Sequence, residues 1–261
     1  MSTRHSRFAV SGAAGTIDPA MCHAPQLLVL GPVRLIGARG PAPSRSTGPC
    51  LEYCAWMLSH PDQTPAAMTR ALLVAESTRR SNTSRLRLWL GTDDAGEPFL
   101  PDAYNGRIRL HKCVTSDWEW WHLILPGGPG RATPEALAGA LGLVRGAPLA
   151  DAPGGQWHWA ESWRHEMVAA IREAGLVLAG LALEADDFDV ARWATDQAFL
   201  AAPEDAGLMT VRIRAELAAG NRSEVARLAL DVSRVARSTG RHLPDDLVAL
   251  LQETTLPLMV V

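Results

Sequence analysis

The order of elements in this sequence predicts an α+β domain followed by an all-α domain. Three observations carry that prediction. Between residues 26 and 114, short apolar runs with turn signals flank a block of three helical patterns. From 115 to 256 the only periodicity is helical. Within that second stretch Val190-Ala191-Arg192 returns as Val225-Ala226-Arg227, 35 residues later.

Residues 1–25 lack the long apolar run of a secretory signal and read as a disordered leader. In QLLVLGPVRLIG, an apolar run at Leu27–Leu30 is broken by Gly31-Pro32 and resumes at Val33–Ile36, which predicts two short strands around a turn. A Pro/Gly/Ser loop follows. From Cys50 to Ser59 the residues Leu51, Cys54, Ala55 and Leu58 share a helical face, and His60-Pro61 ends that helix. Thr64 then serves as N-cap and Pro65 as first residue of a second helix carrying Met68, Leu72 and Leu73. A third helix, TRRSNTSRLRLWLG, places Leu86, Trp89 and Leu90 on one face and stops at Gly91. Its facing side is expected to carry Arg79, Arg80, Asn82, Thr83 and Arg87. PFLPDAY and RIRLHK flank Asn105-Gly106, the dipeptide best suited to a two-residue hairpin turn. Strands, three helices and a hairpin, in that order, are the elements of a winged helix-turn-helix, here spanning 26–114.

A fourth helix is predicted from Ser116 or Asp117 through Trp118, Trp121 and Leu125, with PGGPGRATP (126–134) as a linker or inter-helix loop. The longest helix holds Trp159, Trp163, Met167, Ile171 and Leu178 in one apolar stripe. Acidic or polar stretches, DDFD and NRSE, precede the two Val-Ala-Arg copies, and Gly220 marks a turn. Two helices per unit at a period of about 34 residues is the tetratricopeptide pattern. Residues 115–256 are therefore expected to form a TPR-like helical repeat with a concave surface.

The net charge of −3 divides unevenly, with +3 over residues 1–125 and −6 over 126–261. A basic front module that meets an anion, joined to one that does not, fits that asymmetry. Only one of the 25 cations is lysine, so the arginine bias reflects coding preference more than selection for phosphate. The four cysteines form no CxxC pair, which suits a reducing cytoplasm, and no stretch approaches the ~20 apolar residues of a membrane span.

The order of elements over roughly 26–254 resembles the Streptomyces antibiotic regulatory protein family. LLVLGPVRLIG looks like its first strands, SRLRLWLG like the end of its recognition helix and GRIRL like the outgoing strand of its wing. TSDW, WAESWRHEMVAAI and GNRSEVAR are similar to its bacterial transcriptional activator domain. The resemblance implies a transcriptional regulator with an OmpR-type winged helix that binds double-stranded DNA, with RNA polymerase and a small-molecule effector as further partners. It implies DNA contacts from Arg79, Arg80, Asn82, Thr83 and Arg87 on the third helix and from Arg107 and Arg109 on the wing. Replacing Arg79, Arg80 and Arg87 together is expected to abolish DNA binding with little change in melting temperature. The chain has ALLVAEST where relatives carry a Leu-Trp-Pro turn, and Asp93, Asp94 and Glu97 follow the third helix.

Other constellations are better explained by packing. Trp159 and Trp163 keep helical register and are expected in the core, whereas Trp120 and Trp157 fall off the stripes and are candidates for an exposed ligand or partner surface. Cys50 and Cys54, at i and i+4 with His60 beyond, fall short of a tetrahedral metal site and read as core thiols. His158 and His165 are two turns apart, not one, and no phosphate loop or nucleophile elbow occurs. The reading is a cytoplasmic, homo-oligomeric, non-enzymatic regulator without metal or cofactor. The alternative is a nucleotide sensor or protein-interaction adaptor that works through the concave helical face without binding DNA.

Overall fold

The structure is a computed structural model that describes residues 24–103, 106–152, 157–239, 242 and 244–255. It is mostly helical, with a small three-stranded sheet near the N-terminus. Nearly all of the expected leader lies outside the described residues. The described chain forms two compact units, one made of 24–124 and 145–168, the other of 125–144 and 169–255. Residues 115–124 and 145–168, which follow the 114/115 boundary read from sequence, lie in the first unit.

In the first unit, β1 (Gln26–Leu28) pairs antiparallel with β2 (Arg34–Ile36), Leu27 opposite Leu35, as the Gly31-Pro32 break implies. Gly31 packs against the backbone of Arg145 and Gly146 at about 3.1 Å from where a Cβ would stand, so a side chain there has no room. Then come α1 (Thr47–Ser59), α2 (Pro65–Ala71) and α3 (Glu76–Leu90). Thr64 Oγ1 accepts the Ala67 N–H at 3.1 Å with Pro65 at the first helical position, the cap that the sequence predicts. Met68 and Leu72 are buried, but α2 ends at Ala71, and Leu73 turns outward with φ +52 and 79% exposure. Gly91, at φ +79, closes α3 where expected.

The expected hairpin over 98–112 does not form a strand ladder among the described residues. Pro98 and Pro101 have no N–H to donate to one. The segment is instead tied by single bonds: Phe99 N–H to Gly91 O, His111 N–H to Phe99 O and Ile108 N–H to Gln63 O. Asn105 lies outside the described residues. The third strand of the sheet is β3 (Thr115–Ser116), parallel to β1. It leads directly into α4 (Asp117–Ile124) through a capping box: Ser116 Oγ accepts the Glu119 N–H at 3.1 Å, and Glu119 Oε2 accepts the Ser116 N–H at 2.8 Å.

Buried Asp117 then knots the unit together. Its carboxylate accepts the N–H groups of Val29 at 2.7 Å and Leu30 at 3.1 Å, and pairs with Arg145 at 3.1 Å. Burial raises its pKa, and those three donors oppose the rise.

The second unit opens on a short 3₁₀ turn at Pro129–Arg131 inside the predicted linker, then α5 (Pro134–Leu141). α6 (Glu161–Glu184) contributes its first turns to the first unit and the rest to this one. Met167, Ile171 and Leu178 are fully buried, as the stripe predicts, but Trp159 sits in a 3₁₀ turn before the helix. α7 (Phe188–Phe199) and α8 (Ala206–Ala218) form one packed pair; α9 (Arg222–Thr239) and α10 (Asp245–Thr255) form the next, and both pack on α8. Each Val-Ala-Arg copy falls in the first turns of a helix, α7 or α9, with Val190 and Val225 buried. Gly220, at φ +77, makes the α8–α9 turn. Ile213, Val225, Leu228, Val232, Leu247 and Leu250 form the apolar cluster beneath the last three helices. Among the described residues, no helix is long and apolar enough to cross a membrane.

Candidate nucleic-acid interface

α3 has a sharply two-sided surface. Arg79, Asn82, Thr83, Leu86 and Leu90 recur at steps of three and four and are buried, joined by Trp89. On the other side Ser77, Arg80, Ser81, Ser84, Arg85 and Leu88 are exposed. The five residues expected on one facing side are therefore split. Arg80 is exposed, Arg87 is half-buried, and Arg79, Asn82 and Thr83 are only 8%, 6% and 8% exposed. The physical reason is registry. With Leu86 and Leu90 turned inward, a 3.6-residue period carries 79, 82 and 83 inward too. The same period brings Arg85 outward, a residue the sequence reading passed over. Its guanidinium donates to Asn82 Oδ1 at 2.9 Å and to Ser46 Oγ at 3.1 Å.

Each remaining arginine has a local anchor. Arg80 pairs with Glu76 at 2.5 Å, one turn earlier on the exposed face. Arg87 Nε donates to Leu100 O at 2.7 Å, and its guanidinium meets Asp102 at 2.8 Å, so it staples α3 to the 100–102 segment. Arg109 pairs with Asp62 at 2.5 Å while Arg107 donates to Asp62 O at 2.6 Å. The two expected wing arginines therefore converge on the α1–α2 connection. Asp93 and Asp94, which follow α3, have local partners. Asp93 Oδ1 accepts the Ala95 and Glu97 N–H groups, and Asp94 pairs with Arg39 at 2.6 Å.

Burial accounts for the cysteines. Cys50 and Cys54 are fully buried in α1, and burial pushes their thiols up to about 11 and about 12. Inert packing thiols, the sequence reading, fit both facts.

The tryptophans reverse the expectation. Trp157 is buried at 5% exposure, whereas Trp159 and Trp163 are only half-buried. Trp157, Trp159 and Trp163 stack in series with centroids 5.7 and 6.1 Å apart, and Trp159 Nε1 donates to Glu52 at 3.2 Å. Trp157 falls off the α6 stripe because it precedes the helix, so helical register says nothing about its burial. Trp120 is half-buried in α4.

No protein-family profile matches the chain, and no curated protein matches it. Among solved structures the chain is similar to Mycobacterium tuberculosis EmbR in complex with a low-affinity phosphopeptide, at 19% identity and a TM-score of 0.58. The likeness covers 88% of this chain and 65% of that one. At that identity it is a likeness of fold.

Proposed function

We propose that the chain is a DNA-binding transcriptional regulator, with a winged helix-turn-helix over 26–114 and a TPR-like domain over 115–256. The outward face of α3 carries the proposal. Ser77, Arg80, Ser81, Ser84 and Arg85 form a run of short donors and guanidiniums along one side of a 15-residue helix. Arginine reads guanine edges bidentately, and serine holds phosphates or bases at short range, so this face suits a major groove. The Arg80–Glu76 and Arg109–Asp62 pairs are solvent-exposed and worth ~0–1 kcal/mol, so a phosphate displaces either carboxylate at little cost. Arg87 acts as a positioning residue, and Arg107 and Arg109 flank the groove. The fold likeness to EmbR and the resemblance to the Streptomyces antibiotic regulatory protein family point the same way.

For the helix pairs α7/α8 and α9/α10 we propose oligomerisation, polymerase contact or effector sensing. The relevant experiment is a titration of the full chain with duplex DNA from upstream of its own gene over a range of salt. Binding that weakens with log salt, at a slope of about −0.9 per phosphate neutralised, supports the reading. No binding even at low salt would refute it.

A further inference from the structure

A cleft of 310 Å³ lies between α3, the start of α2, residues 100–103 and Ile108. Its polar lining is Arg79, Arg80, Thr83, Arg87 and Asp102, and its apolar lining includes Leu100, Pro101 and Ile108. Arg79 and Thr83 are both more than nine-tenths buried, yet Arg79 Nε and Thr83 Oγ have no hydrogen-bond partner. Buried polar groups are almost always satisfied, so two orphaned donors side by side on one cleft wall require an acceptor. The nearest carboxylate to Arg79 is Glu76 at 3.9 Å, too long for a hydrogen bond.

The donors specify the ligand. Arg79 Nε, the Thr83 hydroxyl and the guanidinium ends of Arg80 and Arg87 outnumber the two oxygens of a carboxylate. They match the three terminal oxygens of a phosphate monoester, whose planar pairing with guanidinium is the strongest of these interactions. Glu76 and Asp102, with side chains 63% and 48% exposed, can swing to water as the phosphate enters. The apolar wall then covers a compact organic group, the usual mixture in small-molecule sites of this size. We infer that this cleft binds a small phosphate monoester, with the phosphate on Arg79 and Thr83 and the organic group against Leu100, Pro101 and Ile108. The inference does not depend on DNA binding, since Arg79 and Thr83 lie on the buried side of α3.

Phenyl phosphate is the probe, titrated into the full chain against sodium chloride at matched ionic strength and against benzoate. The expected result is saturable one-to-one binding with a rise in melting temperature, at least tenfold weaker in Thr83→Val and restored in Thr83→Ser. In the unmodified chain the Arg79 Nε–H resonance should shift saturably, a readout that stands even if Thr83→Val does not fold. An equal response to chloride, or an unmoved Arg79 Nε–H resonance, overturns the inference. So does a Thr83→Val variant that folds and binds phenyl phosphate as tightly. A duplex oligonucleotide serves as the last arm. If only the duplex moves that resonance, the cleft holds DNA backbone phosphate and the small-ligand inference falls, whereas loss of DNA binding alone leaves it standing.

Discussion

Glu216 should be the polar residue on which the helical unit most depends. It is 2% exposed. Its Oε1 accepts Arg192 Nε at 3.1 Å from α7 and Arg212 Nε at 3.0 Å from its own helix. Its Oε2 accepts Asn221 Nδ2 at 2.6 Å from the α8–α9 turn. Removing one partner of a buried ion pair costs about 3–5 kcal/mol when the other is left uncompensated. Here each arginine keeps a second carboxylate, Arg192 with Asp189 at 2.5 Å and Arg212 with Asp196, so Glu216→Ala should cost about 2–3 kcal/mol. Glu216→Gln keeps the shape and one acceptor and should cost about 1 kcal/mol.

The pH dependence follows from the carboxyl's pKa. Burial pushes it up, but Asn221, Arg192 and Arg212 pull harder, and the net result is a lowered pKa. A lowered carboxyl contributes stability above the ordinary glutamate value of about 4.3 and loses it as pH falls through the folded value. The gap between the natural chain and Glu216→Gln in urea unfolding should therefore be full at pH 7 and close as pH drops below about 4. A Glu216→Ala loss under about 1 kcal/mol at pH 7, or a gap that widens in acid, would show that the network does not hold the helices together.

Asp117→Ala should destabilise the first unit by about 2–6 kcal/mol in urea unfolding, because it strands the buried N–H groups of Val29 and Leu30, each costing about 1–3. A change under 1 kcal/mol would mean water replaces the carboxylate freely. Gly175→Ala would place a Cβ 2.4 Å from Ala198 Cβ, and overpacking of about 1–3 kcal/mol should outweigh the helix-propensity gain of about 1. Raised thiol pKa values mean that Cys50 and Cys54 contribute stability below the ordinary thiol value of about 8.5 and lose it as pH climbs toward 11 and 12. Iodoacetamide at pH 8 should accordingly spare both in the folded chain while alkylating half-buried Cys113 ahead of them, as followed by mass spectrometry.

Local chemistry made much of the fold legible. Thr64-Pro65 and Gly91 bound α2 and α3 in the structure as they do in the sequence, because capping depends on residues within one turn. The repeated Val-Ala-Arg marks two helix starts because each copy supplies an inward Val in the first turn, third residue in α7 and fourth in α9. Among the described residues of 98–112 no ladder follows from the Asn-Gly signal, because that signal is local, whereas a ladder also needs N–H donors that Pro98 and Pro101 lack. The candidate interface was the least legible part. Arginine identity suggested a DNA-facing surface, but the register fixed by Leu86 and Leu90 sends Arg79 inward and Arg85 outward. Triple replacement of Arg79, Arg80 and Arg87 would consequently disturb the fold as well as binding, since Arg87 staples α3 to Leu100 and Asp102.

The most direct measurement compares the natural chain with an Arg80→Ala/Arg85→Ala double variant in DNA binding across a salt series, with thermal unfolding recorded on both. The expected result is a melting temperature lowered by a few degrees at most as Arg85 gives up its bonds to Asn82 and Ser46, affinity for upstream DNA lowered by about tenfold or more, and a salt slope smaller by up to about 2. Equal affinity and an equal slope in a folded double variant would contradict the claim that the outward face of α3 grips DNA.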